Sequence, residues 1–120
     1  MIQRLMKLKR RRLMNRTEVS MIPGGLHPEI HISKGDNRII PVVVDEGFTS
    51  TDVITLHVWL PDNTFQTLEI DHTSGNTLDI VIPESISGVV GTGLAKINIR
   101  NQSGTKSISS EMIVIVVEDL

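Results

Sequence analysis

A two-residue alternation that recurs through the last two-thirds of the chain constrains its fold most. In Val53-Ile-Thr-Leu-His-Val-Trp-Leu60, Ile54, Leu56, Val58 and Leu60 fall on one side and Thr55, His57 and Trp59 on the other. Only an extended strand places residues i and i+2 on the same face, so this segment reads as a strand with one face buried. Leu94–Arg100 repeats the pattern, with Ala95, Ile97 and Ile99 against Lys96, Asn98 and Arg100. Thr77–Ile82 does the same with Leu78, Ile80 and Ile82. Most inward positions carry Ile or Val, and branching at Cβ suits a pleated sheet and crowds a helix.

Turn chemistry separates the strands. Pro61-Asp62-Asn63-Thr64 reads as a hairpin turn, because proline presets φ and Asp and Asn tolerate the remaining angles. Phe65–Ile70 is the return strand, and Ser74-Gly75-Asn76 turns again. Pro83–Ile86 reads as one helical turn with proline suited to its start, and Gly88, Gly91 and Gly93 as an irregular corner. Asn101–Thr105 is a hairpin loop. Arg38–Val44 is an early strand placed at a sheet edge by Pro41, which cannot donate to a ladder, and Asp45-Glu46-Gly47 is its turn. Met112–Val117 is an unbroken apolar run, as expected of a strand covered on both faces. The count is six or seven antiparallel strands, a spacing that predicts an all-β sandwich or a small barrel.

The N-terminal segment is of another kind. Residues 1–16 hold seven cations and no acid. The remaining residues hold five of the twelve cations and all fourteen acids, so an arm of +7 precedes a body of −9. Such asymmetry marks a tail that docks on something. Pro23-Gly24-Gly25 and His27-Pro28 keep the following stretch extended. The chain therefore divides into a basic arm, extended or a short helix with Ile2, Leu5, Met6 and Leu13 near one stripe, and an extended strap, together over 1–36, and a sandwich over 37–120.

Three uses of the arm compete: phosphate contacts on nucleic acid, a membrane surface, and a groove on a partner protein or a neighbouring copy. The apolar residues interleaved with the cations favour the protein groove. The candidate partner-binding residues are Arg4, Leu5, Lys7, Leu8, Lys9, Arg10, Arg11, Arg12, Leu13 and Arg16, together with Trp59 on the minority face of its strand. Trp59 either plugs the second face of the sandwich or anchors an interface.

Signals for chemistry are weak. No cysteine is present, which removes thiol nucleophiles, disulfides and thiolate metal sites. No apolar window reaches the roughly 18 residues of a membrane helix, and the basic start lacks the apolar core of a secretory signal. His27 and His31 are four apart, yet in an extended segment they stand too far apart to share an ion. The acids fall mostly in turns or on outward positions, Asp79 included, where they bond local backbone. The glycine clusters lack the Lys-Ser/Thr of a phosphate loop. The expectation is a binding protein without cofactor or metal, not an enzyme.

In its order of parts, residues 38–120 resemble the N-terminal domain of phage baseplate upper proteins and related fibre-anchoring domains. The parts are strand 39–44, Thr51–Asn63 ending in its Pro-Asp hairpin, Asp79-Ile-Val-Ile82, Ser87–Gly93, Ala95–Ile99, Ser109-Ser110 and the last strand Ile113–Val117. The resemblance implies an immunoglobulin-like sandwich and a virion structural protein, either a head-fibre or capsid-decoration anchor or a baseplate connector. It implies capsid, portal, tail or baseplate proteins as partners and a homo-oligomer, a trimer being one form. Nucleic acid remains a candidate for the arm, and no membrane partner is expected. A carbohydrate-binding adhesin is the competing function, weakened by the presence of one Trp, two Phe and no Tyr.

Overall fold

The computed structural model describes residues 17–22, 24 and 27–119. The arm lies outside the described residues, and the ten arm positions named above lie there with it. Among the described residues the elements are β1 (Thr17–Val19), β2 (Glu29–Ser33), β3 (Ile39–Phe48), β4 (Val53–Trp59), β5 (Phe65–Glu69), β6 (Gly75–Val81), α1 (Glu84–Ser87), β7 (Gly91–Arg100), β8 (Ser107–Ser109) and β9 (Ile113–Glu118).

The all-β reading holds. One sheet has the order β1-β3-β6, and the other β2-β9-β7-β4-β5 with β8 also on β7. Their inner faces meet in one core. Val42, Val44 and Leu78 come from the first sheet and Ile54, Val58 and Ile97 from the second, all essentially without solvent exposure. The alternation in β4 is realised without exception: Ile54, Leu56 and Val58 are buried while Thr55, His57 and Trp59 are not.

The strands are not all antiparallel. β1 pairs parallel with β3 (Thr17 opposite Val42), and β2 pairs parallel with β9 (Glu29 opposite Val114). Both come from the extended stretch ahead of residue 37, which supplies one edge strand to each sheet. Sequence periodicity missed them because β1 is three residues long, too short to display a period.

Three local expectations change. The Asp45–Gly47 turn is instead a bulged continuation of β3, whose register with β6 shifts between Val43 and Phe48. β3 is the middle strand of its sheet, so Pro41 does not mark an outer strand. β1 begins opposite Val42, so among the described residues Pro41 has a strand neighbour only on the β6 side, at Asp79. Proline's missing donor is thus tolerated at a locally open edge. β9 also alternates instead of being covered on both faces: Ile113, Ile115 and Val117 are buried, and Val114, Val116 and Glu118 half-buried.

The step from β8 to β9 is stitched by Ser110, which is fully buried. Its amide donates to the Ile97 carbonyl, its hydroxyl accepts from the Ile97 amide at 2.9 Å, and the same hydroxyl donates to the Glu111 carbonyl at 2.7 Å. β9 pairs with Gly91–Ala95 of β7 and β8 with Asn98–Arg100, so Ile97 is the junction where the partner strand changes.

Ile97→Ala should destabilise the protein by about 2–5 kcal/mol, since it opens a cavity where no solvent reaches. Val81→Thr, at a side chain facing solvent, should stay within about 0.5 kcal/mol. Urea titrations of the two variants check the contrast, and equal losses would place the core elsewhere.

Candidate protein-binding face and the strap clasp

The register of β4 with its neighbours builds an exposed row on the outer face of the larger sheet. Trp59 lies opposite Phe65 of β5 on one side and Leu94 of β7 on the other. These side chains are 43%, 52% and 39% exposed, high values for three large apolar residues in register. Leu94 in turn faces half-buried Val114 of β9. Trp59 and Phe65 meet at 5.1 Å between ring centroids with a 43° tilt, a favourable offset aromatic contact. Trp59 therefore does not plug an inner face.

The next row is polar: Thr67, His57 and Lys96. The His57 ring stacks on Phe65 with centroids 5.9 Å apart and ring planes nearly parallel. Its nitrogens lie 3.1 Å from Thr55 Oγ1 and 3.2 Å from Thr67 Oγ1. The row beyond is Glu69, Thr55 and Asn98. The face thus grades from an aromatic end to a polar end.

The aromatic end is held firmly. The Pro61–Thr64 turn closes with the Leu60 amide on the Thr64 carbonyl at 2.8 Å and the Asn63 amide on the Leu60 carbonyl at 3.0 Å, with Asn63 at φ +69°. Asp62 accepts from the Thr64 hydroxyl and amide, which hold its carboxyl below the usual range. Gly91, at φ +128°, packs against Pro61, where a Cβ would come within 3.0 Å of the proline ring. β5 is tied to α1 by Gln66, which donates to the Ser85 carbonyl at 3.2 Å and accepts from the Ser85 hydroxyl at 2.9 Å.

A second constellation fastens the strap. Glu111 is only 5% exposed. Its carboxylate accepts from the Ser20 amide at 2.7 Å and the His27 amide at 3.0 Å, and so closes the loop between them. Asp45 accepts from the Met21 amide at 2.7 Å and the Ser20 hydroxyl at 2.9 Å, contacts that hold its carboxyl below its ordinary value. A cleft of about 670 Å³ opens beside this clasp, lined by Val19, Pro28, Val44 and Asn76 as well as the two acids. Glu18 also lines it, and the other two carboxylates, of Glu111 and Asp45, are committed to backbone donors.

The histidines separate as the extended reading requires. His31, on β2, lies between Glu118 at 2.9 Å and Glu29 at 3.2 Å. His27 instead has its ring 3.3 Å from the Met112 carbonyl, and His72 sits between the carbonyls of Ile70 and Thr49. Asp79 faces solvent.

Sequence reasoning found Trp59 and missed Phe65, Leu94 and Glu111. Phe65 depends on how the turn closes: Leu60 pairs with Thr64 around residues 61–63, and that sets Trp59 opposite Phe65, whereas a four-residue turn at 61–64 would have set Leu60 there. Leu94 depends on β4 pairing with β7, a contact between distant segments. Glu111 left one sign, an acid set immediately ahead of a buried strand.

No family model matches this chain, and no curated protein matches it. Among solved structures it is similar to one described as the N-terminal domain of phage TP901-1 ORF48, with a TM-score of 0.57 and 12% identity over 87% of this chain and 98% of that one. At that identity the likeness is one of fold.

Glu111→Ala should cost about 1–3 kcal/mol, by leaving two amides without their acceptor, and should speed hydrogen exchange at Ser20 and His27 selectively. Uniform exchange across the chain would deny the clasp. His31 should titrate above 6.5, chiefly through its bond to Glu118 and then Glu29, and Glu118→Gln should bring it down. A folded-state pKa above the unfolded one means that its stabilisation is present below pH 6.5 and lost as pH rises through the folded value. An NMR titration of the ring protons checks both.

Proposed function

We propose that this chain is a structural protein of a bacteriophage particle, anchoring a fibre or decorating the surface through protein–protein contacts. The observation that carries the binding reading is the exposed Phe65–Trp59–Leu94 row. It is an apolar patch with an aromatic centre on the outer face of the larger sheet, and such centres dominate association energy once they are covered. The phage reading is supported by two things: the order of parts over residues 38–120, and the shared fold with a domain of a phage protein. Fold alone does not assign function. The basic arm would supply a second attachment, ordering on the same or a neighbouring virion protein.

A second reading rests on the same rings. His57, Phe65 and Trp59 cluster at one end of the face, and stacked rings are a platform for sugars as well as for proteins. This supports the adhesin alternative more than the raw number of aromatics does.

Purified particles of the parent phage should contain the chain, and a Trp59→Ser/Phe65→Ser variant should lose particle association by at least about 30-fold. Its folding is checked by circular dichroism, since both side chains are half exposed. Absence of the chain from particles would sink the virion reading, and full retention of the variant would move the interface off this face. Glycan binding abolished by Trp59→Ala, with no particle association, would favour the adhesin.

A further inference from the structure

We propose that the open side of the sandwich, between the unpaired edges of β5 and β6, is an acceptor groove for the basic N-terminal arm of a second copy of this chain. The inference goes beyond the functional reading above and uses a different surface. β5 has β4 as its only sheet neighbour and β6 has β3, so both present an unpaired backbone edge among the described residues. Between them runs a groove in two sections of about 190 and 370 Å³. Leu68, Ile80 and Val81 give it an apolar lining, and Glu69, Asp71 and Asp79 stand along it. None of the three carboxylates is in an ion pair among the described residues.

Charge complementarity selects the occupant. From Ile39 to Ala95 the chain contains eight acids and not one Lys or Arg. That stretch builds β3, β4, β5, β6 and α1, so the strands bordering the groove contribute no Lys or Arg of their own. The arm has the opposite composition, with seven cations and no acid over residues 1–16. Within it Met6-Lys7-Leu8-Lys9 alternates apolar and basic. A segment of that pattern laid along a sheet edge turns its apolar residues to the lining and its lysines to the carboxylates, while its backbone meets the unpaired edge.

The fold also places donor and acceptor apart. β1, where the arm joins the body, and β6, which borders the groove, are opposite edges of the same three-stranded sheet. Contact between unlike surfaces on opposite edges is head-to-tail, and it closes into a ring or runs on as a filament according to the rotation between copies.

Light scattering of the full chain across a concentration series tests this. Self-association should appear near 50 mM salt and fade by about 500 mM, as exposed ionic contacts are screened. Asp71→Lys/Asp79→Lys and Lys7→Glu/Lys9→Glu should each weaken association at least tenfold while melting like the parent. Mixed together they should associate again, because the arm of the first fits the groove of the second and the reversed arm and reversed groove also attract each other. A parent monomeric at every concentration, association surviving in both variants, or a mixture that stays monomeric would overturn the proposal. A monomer whose groove resonances shift on arm charge reversal would place the arm in its own groove and overturn it equally. The Trp59 face is intact in all these proteins, so failure here leaves the functional reading standing.

Discussion

The fixed register of β4 between β5 and β7 governs the rest of the molecule. Side chains alternate along a strand, so a slip of one residue would exchange its two faces completely. Ile54, Leu56 and Val58 must be inside, because no other arrangement hides three large aliphatic groups contributed by one strand. Once they are inside, Thr55, His57 and Trp59 are outside, and pairing on both flanks sets Trp59 beside Phe65 and Leu94. The exposed apolar row is therefore not an independent feature. The burial energy of the core holds it in place, and moving it would require undoing the core.

That coupling explains which parts of the structure could be read from the sequence. Strands long enough to show a period were legible: β4, β6 and β7 have the inward residues that alternation assigned to them. Turns with explicit chemistry were legible too, Pro61–Thr64 above all. What escaped depends on distant pairing. β1 and β2 are strands because β3 and β9 offer them edges, and three or five residues carry too little pattern to announce this. The bulge after Val43 escaped for a related reason. Asp45-Glu46-Gly47 has the composition of a turn, yet β3 continues through it, and Asp45 is occupied with the strap. On the binding face, Trp59 was visible as a lone aromatic on a polar side, but its neighbours were not.

The strap shows how a short edge strand is kept. Val19, Met21, Ile30 and Ile32 enter the core, but the loop between β1 and β2 crosses from one sheet to the other. Its amides at Ser20, Met21 and His27 lack ladder partners and are supplied with carboxylates, Glu111 from beneath and Asp45 from the bulge of β3. Charge-assisted bonds of this kind are stronger than neutral ones. A buried carboxylate that accepts two amides is well compensated, whereas an apolar replacement would strand both donors. Glu111 is thus explained by the backbone it serves.

The distribution of charge follows a different logic from the core. Acids in a stretch with no cation repel one another, so their number between Ile39 and Ala95 is not explained by mutual stabilisation of the sandwich. Some have local work, as Asp45 and Asp62 do at the strap and hairpin. Glu69, Asp71 and Asp79 do not, and they border an open sheet edge, where natural sheets commonly place charge to discourage unwanted pairing. A row of like charges repels every strand except one of opposite sign. The same device that protects an edge from nonspecific pairing therefore defines which extended segment it can accept, and this chain carries such a segment at its own N-terminus.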